Sequence, residues 1–416
     1  MKKRIIILML IIPLFLFMSC PPEKNELIEL EIYETYCTSI ELKITMMDSL
    51  KEKEYSVKRN DSLIATRTMT DNQTIITDEN LEPNTQYTYK AYSKNDESEI
   101  VTATTMDTTS HDFTWEEVKL GNGRSLYDVK IINEDDIWVV GKIRTDSINY
   151  NAAHWNGEKW ELKRIYPPPF LFANITAIFT IDDEIWTAGT APMRKKNGVW
   201  AAFSDFPTTG WINSIWGTSS SNMYFVGSNG SIVHYDGNEF VKMESGTNVN
   251  LRVINGEEDA ILVTGFNWTT PSTNILLSYK NGTWETLLEM DHANTSDENP
   301  YGRLQSLDVF DGIAYVLASD YLIKYDISKN EISEHTRLDE GTFSRAITNE
   351  SYHDVKVQNH NDIMLFDWNN GSTAHYNGKN WYIDDKISDH YFRRGDYNGK
   401  VAYVVGSGIL IGKRNN

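Results

Sequence analysis

Cysteine is almost absent from this chain. Cys20 and Cys37 are the two among 416 residues, too few for a disulfide framework. Tryptophan is missing before Trp115, and all twelve lie from there on. No apolar run reaches the roughly 18 residues a membrane-spanning helix needs; the longest is Ile5–Met18. Positive charge is scarce, with 39 Lys+Arg against 59 Asp+Glu and a formal charge of −20. So acidic a surface repels nucleic acid and anionic lipid surfaces, and neither is an expected partner. No catalytic motif stands out, and neither a cofactor nor a metal is expected.

The N-terminus carries an address. Lys2, Lys3 and Arg4 precede the apolar run, and Ser19 and Cys20 follow it. A basic start and a short apolar segment read as an export signal. Leu16-Phe17-Met18-Ser19-Cys20 resembles a bacterial lipobox, with Phe17 and Met18 departing from the preferred residues. The resemblance implies cleavage of residues 1–19, lipidation of Cys20 and stable anchoring by several acyl chains. Pro21 and Pro22 stand where an inner-membrane lipoprotein has Asp, which favours the outer membrane of a bacterial envelope. The remaining Cys37 is expected to be buried as a small hydrophobe.

Residues 20–26 form the lipidated cysteine and a short polar tether. From 27 to 106, strand-length runs such as "LIELEIY", "SIELKIT" and "TQYTYKAYS" alternate apolar and polar residues between Asn/Asp-rich breaks. Seven such runs predict a small β-sandwich. Leu81-Glu82-Pro83-Asn84-Thr85-Gln86-Tyr87, with Tyr89 and Ala91 after it, resembles the fibronectin type III signature around its tyrosine corner. The absence of tryptophan marks a divergent member. The resemblance implies a spacer or docking module without a ligand site of its own. Residues 107–112 read as a linker.

The rest of the chain, 113–416, repeats. Copies start near Ser125, Asn174, Trp211, Leu251, Arg303, Ser351 and Tyr391, each with a strand ending in "WVVG", "YFVG" or a relative, then a turn such as "HWNGEKW". Self-similarity at roughly 40 residues built from short strands predicts a β-propeller. Within a copy, strands a to d run from the channel outward, and Trp160, Trp200, Trp284 and Trp381 mark strand d, with Phe240 and Ile332 in two others. The last copy stops after strand c, while "FTWEEVKL" at Phe113–Leu120 matches strand d. Seven blades are therefore expected, closed by pairing this leading strand with the last blade, which removes the open edges. The fold class is all-β: a fibronectin type III-like sandwich, then a seven-bladed propeller.

The repeat also accounts for residues that resemble sites. His154, His234 and His375 hold one repeat slot in different blades, so they are expected to be structural rather than a shared metal set, whose ligands must converge near 2 Å from one ion. The Asn/Asp-Gly turns resemble the Asp-boxes of sialidase-like propellers but lack the leading Ser-x-Asp; turn chemistry explains them.

Loop elaboration falls on one face, in the b–c and d–a connections, with Phe170, Phe172, Trp211, Trp268, Tyr301 and Phe343 as candidate platform aromatics. Aligning strand a gives an apolar column beginning Leu126 and Ile175. Beside it stands a polar column of Tyr127, Thr176, Asn213, Arg252, Gln305, His353 and Arg393. These seven are the candidate ligand-binding residues at the channel mouth, and Arg252, His353 and Arg393 offer positive or switchable charge to an anionic ligand. The expected function is a non-catalytic envelope lipoprotein binding a glycan, peptide or envelope protein. The alternatives are a propeller hydrolase or lyase using Arg252, Arg393, Tyr127 and Asp128, or an envelope assembly factor.

Overall fold

A computed structural model of the chain describes residues 28–415 except 47–52, 95, 169–171, 259, 269–271, 292–300, 320, 339–351, 369–370, 386 and 389. The signal, Cys20 and the tether lie outside the described residues. No helix among the described residues is long and apolar enough to cross a membrane. The chain divides into two compact units, one reaching Thr105 and the other running from Met106 with Tyr36–Thr38 added.

In the first unit, Ile28–Thr35, Ile40–Met46 and Gln73–Asp78 form a three-stranded sheet. Ser62–Met69, Lys53–Arg59 and Gln86–Ser93 form the second, with Val101–Thr104 and the two-residue Asp96–Glu97 both pairing to Gln86–Ser93. Alternation explains the arrangement: Ile40, Leu42 and Ile44 point inward with Tyr55, Val57, Tyr89 and Ala91 from the other sheet, and all are buried. At the edge, the backbone N–H of Glu82 donates to Tyr87 Oη at 3.0 Å, and Tyr89 Oη donates to Asp78 at 2.8 Å. Cys37, which groups with the second unit, is a free, buried thiol.

The second unit contains, among the described residues, seven four-stranded antiparallel sheets. Six are formed by four consecutive strands. The seventh joins Phe392–Tyr397, Val401–Gly406 and Ile409–Arg414 to Phe113–Val118, with Ile409 opposite Val118 and Arg414 opposite Phe113. Each innermost strand lies beside that of the next sheet, and Gly123–Asn133 lies beside Phe392–Tyr397, so the sheets close a ring. Apolar clusters fill every space between neighbouring sheets. Burying one such Leu, Ile or Phe contributes about 1.5–3 kcal/mol. The segment before Phe113, expected as a linker, is tied to the sixth sheet, where Thr109 Oγ1 donates to the Asn361 carbonyl at 3.0 Å.

Two repeat features find their cause here. The glycine ending strand b faces the backbone just ahead of strand a: a Cβ on Gly227 or Gly406 would run into the carbonyl oxygen of Trp211 or Tyr391. The repeat histidines each bond the residue opening strand b of their own sheet. His154 Nε2 lies 2.8 Å from Asp136, His234 Nε2 2.7 Å from Asn222 and His375 Nε2 2.8 Å from Asp362. They are brace points, one per sheet.

Candidate functional site

Six of the seven inner strands break register at one place. Pairing shifts between Leu126 and Asp128, Ile212 and Ser214, Leu251 and Val253, Leu304 and Ser306, Tyr352 and Asp354, and Phe392 and Arg394. The residues skipped are Tyr127, Asn213, Arg252, Gln305, His353 and Arg393. A bulge leaves one residue outside the ladder and re-aims its side chain. In the remaining sheet Thr176 stands just ahead of the strand Ala177–Ile181. The polar column is thus a ring of bulges and one strand entrance.

All seven column residues line one cavity of about 790 Å³. They are joined by Asn174, Trp211, Phe266, Trp268, Arg303, Trp368 and Arg394. Of these, Trp211 and Trp268 were legible as loop aromatics. Arg394 directly follows a bulge, which lets it share the channel with Arg393, and a strict alternation of faces hides that. Phe266 ends its strand b and Trp368 directly follows its own, both outside the aligned column. Among the other platform candidates, Tyr301 packs edge-on to Tyr321, with centroids 5.3 Å apart, and Phe172 lies 4.9 Å from the Arg164 guanidinium; neither lines the cavity. Phe170 and Phe343 lie outside the described residues.

The column divides into two halves by what its side chains already hold. Thr176 Oγ1 donates to the Ile212 carbonyl at 2.6 Å, and Asn213 Nδ2 to the Leu251 carbonyl at 2.7 Å. Both tie one inner strand to the next. Beyond them the lining turns cationic. The Arg252 guanidinium lies 4.3 Å from the Phe266 ring centre, and Arg303 lies 4.4 Å from that of Trp268. Arg393 sits 5.0 Å from Trp368 and 5.3 Å from Tyr127. Ring faces attract these cations by their quadrupoles without using up guanidinium N–H donors.

Burial, then the nearby charges of Arg394, Arg303 and Arg393, push Arg252 down to about 10. It is still charged at neutral pH. His353, tilted against Trp368 with ring centres 4.7 Å apart, is pushed down to about 3 by burial and then by Arg303, Arg252 and Arg394. The expected switchable charge at His353 is therefore corrected: a desolvated imidazole among arginines stays neutral across the physiological range.

The acids next to the column do not serve as counterions to Arg252 or Arg393. Asp128 accepts from the backbone N–H groups of Val129 and Ile178 at 3.0 and 2.9 Å. Asp354 accepts from the Gly395 N–H at 2.9 Å and pairs with Lys356 at 3.3 Å and Arg394 at 3.5 Å. Burial opposes its ionisation, but Lys356 and Arg394 prevail and hold it below the usual range. Among the described residues, no carboxylate lines the cavity and none forms an ion pair with Arg252 or Arg393. Arg252 Nε and Gln305 Nε2 are buried donors without a hydrogen-bond partner. Of the set that a hydrolase or lyase would require, Tyr127, Arg252 and Arg393 meet in the cavity, while Asp128 lines a second space deeper along the inner strands.

A ring of radially stacked four-stranded sheets around a central cavity defines a β-propeller. Solved structures agree. YCF48 bound to D1 peptide is 14% identical, with a TM-score of 0.56 over 74% of this chain and all of that one. YCF48 from Cyanidioschyzon merolae, also 14% identical, aligns over 72% of this chain and 98% of its own at a TM-score of 0.51. The WD40 propeller domain of Doa1, 10% identical, covers 72% of this chain and 96% of that one at 0.52. No protein-family model and no curated protein matches the sequence.

Proposed function

We propose that this chain is a lipid-anchored bacterial envelope protein that binds an anionic ligand at the mouth of its propeller channel without transforming it. In this reading residues 1–19 are a cleaved signal, Cys20 carries the lipid, and Pro21 and Pro22 favour sorting to the outer membrane. Residues 27–106 are a fibronectin type III-like module, supported by the two-sheet arrangement and the Tyr87 corner bond. Residues 113–416 are a seven-bladed propeller, supported by the seven sheets and the Phe113–Val118 closure.

One observation carries the binding reading: Arg252 and Arg393 converge in a cavity where, among the described residues, no carboxylate lines the wall or pairs with either of them, inside a chain of net charge −20. Desolvated positive charge has no folding benefit unless something pairs with it. The neighbour solved bound to a peptide supports a propeller used as a binding module. Arg252→Ala with Arg393→Ala should weaken binding of anionic ligands on a mixed glycan and peptide array by roughly a hundredfold, two charge-assisted contacts being lost. The melting temperature should stay nearly unchanged. Unaltered binding, or loss of folding, would assign the two arginines to structure.

A further inference from the structure

The cavity is not uniform, and its asymmetry narrows the ligand. On one side stand Thr176 and Asn213, their donors committed to backbone carbonyls. On the other stand the guanidinium groups of Arg252 and Arg393, each over an aromatic ring, with the unpartnered Gln305 Nε2 among them. This side of the described lining thus offers mainly N–H donors, and two of them, Arg252 Nε and Gln305 Nε2, have no partner. A peptide main chain brings N–H donors and carbonyl acceptors in equal number and requires both in its site. A ligand rich in oxygen acceptors requires mainly donors.

The rim adds flat apolar surface. Trp211 is 44% exposed and Trp268 61% exposed, and both line the cavity. Indole surface left open to solvent beside polar groups suits a ligand with an apolar face and a polar edge. A pyranose ring has both. A guanidinium carries its N–H donors in a planar fork, a geometry matched by a planar carboxylate.

Resting on the anion-binding reading above, we infer that the ligand is an acidic oligosaccharide, with a uronate carboxylate held by Arg252 and Arg393 and an adjoining sugar against Trp268 or Trp211. The space, about 790 Å³, lies within the range of small-ligand pockets.

The test uses the full-length protein in detergent and four probes by calorimetry: trigalacturonate, its methyl ester, a sulfated galactan trisaccharide without carboxylate, and a hexapeptide as free acid and amide. Trigalacturonate should bind, lose at least tenfold on esterification, and lose threefold to tenfold with Trp268→Ala. The same Arg252→Ala, Arg393→Ala pair should abolish its binding. Binding only to sulfated galactan would overturn the carboxylate assignment. Binding only to the free-acid peptide, lost in the double variant, would overturn the saccharide assignment yet leave the anion-binding cavity standing. No binding to any probe, with an array equally blank, would remove both.

Discussion

Asp308 shows how a carboxyl on an inner strand can be used up by the fold. Its Oδ2 accepts from the Val357 N–H of the next sheet at 2.7 Å, and Asn255 Nδ2 donates to its other oxygen. Asp396 does the same across the ring closure, accepting from the Ile131 N–H at 2.7 Å. These side chains latch neighbouring sheets where inner strands lie too far apart to share a ladder. Burial pushes Asp308 up to about 6, although Lys356 and the Val357 N–H pull the other way. In the unfolded chain it titrates near 4. Between those values the folded state holds a proton that the unfolded state has lost, so stability falls as pH rises through about 4 to 6. Asp308→Asn keeps an acceptor and removes the titration. Urea midpoints for this variant should lose part of the decline between pH 4 and 7, a contribution on the order of 2–3 kcal/mol. Asp308→Ala removes the latch and should cost about 1–3 kcal/mol at every pH. Parallel pH profiles for wild type and Asp308→Asn would show that the carboxyl ionises normally.

At the scale of strands, ring closure rests on Phe113–Val118. Trp115 of this strand donates Nε1–H to Asp384 of the preceding sheet at 2.9 Å, and its ring lies over Gly412, where any side chain would collide. Deleting Phe113–Val118 leaves a three-stranded last sheet with Ile409–Arg414 as an open edge, a template for aggregation. Such a deletion should lower the melting temperature by about 3 °C or more, since losing even about 2 kcal/mol moves a domain of this size that far. Melting at the parental temperature would mean the ring closes by other contacts. This strand was legible because strand d carries a fixed aromatic, and Trp115 holds that slot ahead of the first complete copy. The polar column was legible for the same reason: repeats align. Its meaning was not, because bulges leave no mark in the residue pattern, and a bulge is what turns Tyr127, Arg252 and Arg393 into the channel. Arg394 and Trp368 escaped for the related reason that neighbours across a ring are set by closure and not by spacing along the chain.

At the scale of the molecule, charge is divided between an acidic body and a cationic channel mouth. A net charge of −20 repels an acidic polymer at long range. Capture must then rest on short-range contacts inside the cavity, where salt screens little, while the repulsion itself weakens as salt rises. A surface fixed at the membrane changes this balance, because an immobile binder meets its ligand at high local density. The proposed anchor therefore bears directly on function. It rests on Cys20 following the apolar run and Ser19, and it can be examined apart from the cavity. Cells grown with an alkynyl fatty acid should label the wild-type protein. Cys20→Ala should lose the label and either accumulate with its leader attached or leave the membrane fraction, because no acyl chain then supplements a cleavable segment too short to span a bilayer. Equal labelling of both proteins would sink the lipoprotein reading and leave an ordinary export signal in its place, with the propeller and its cavity unaffected.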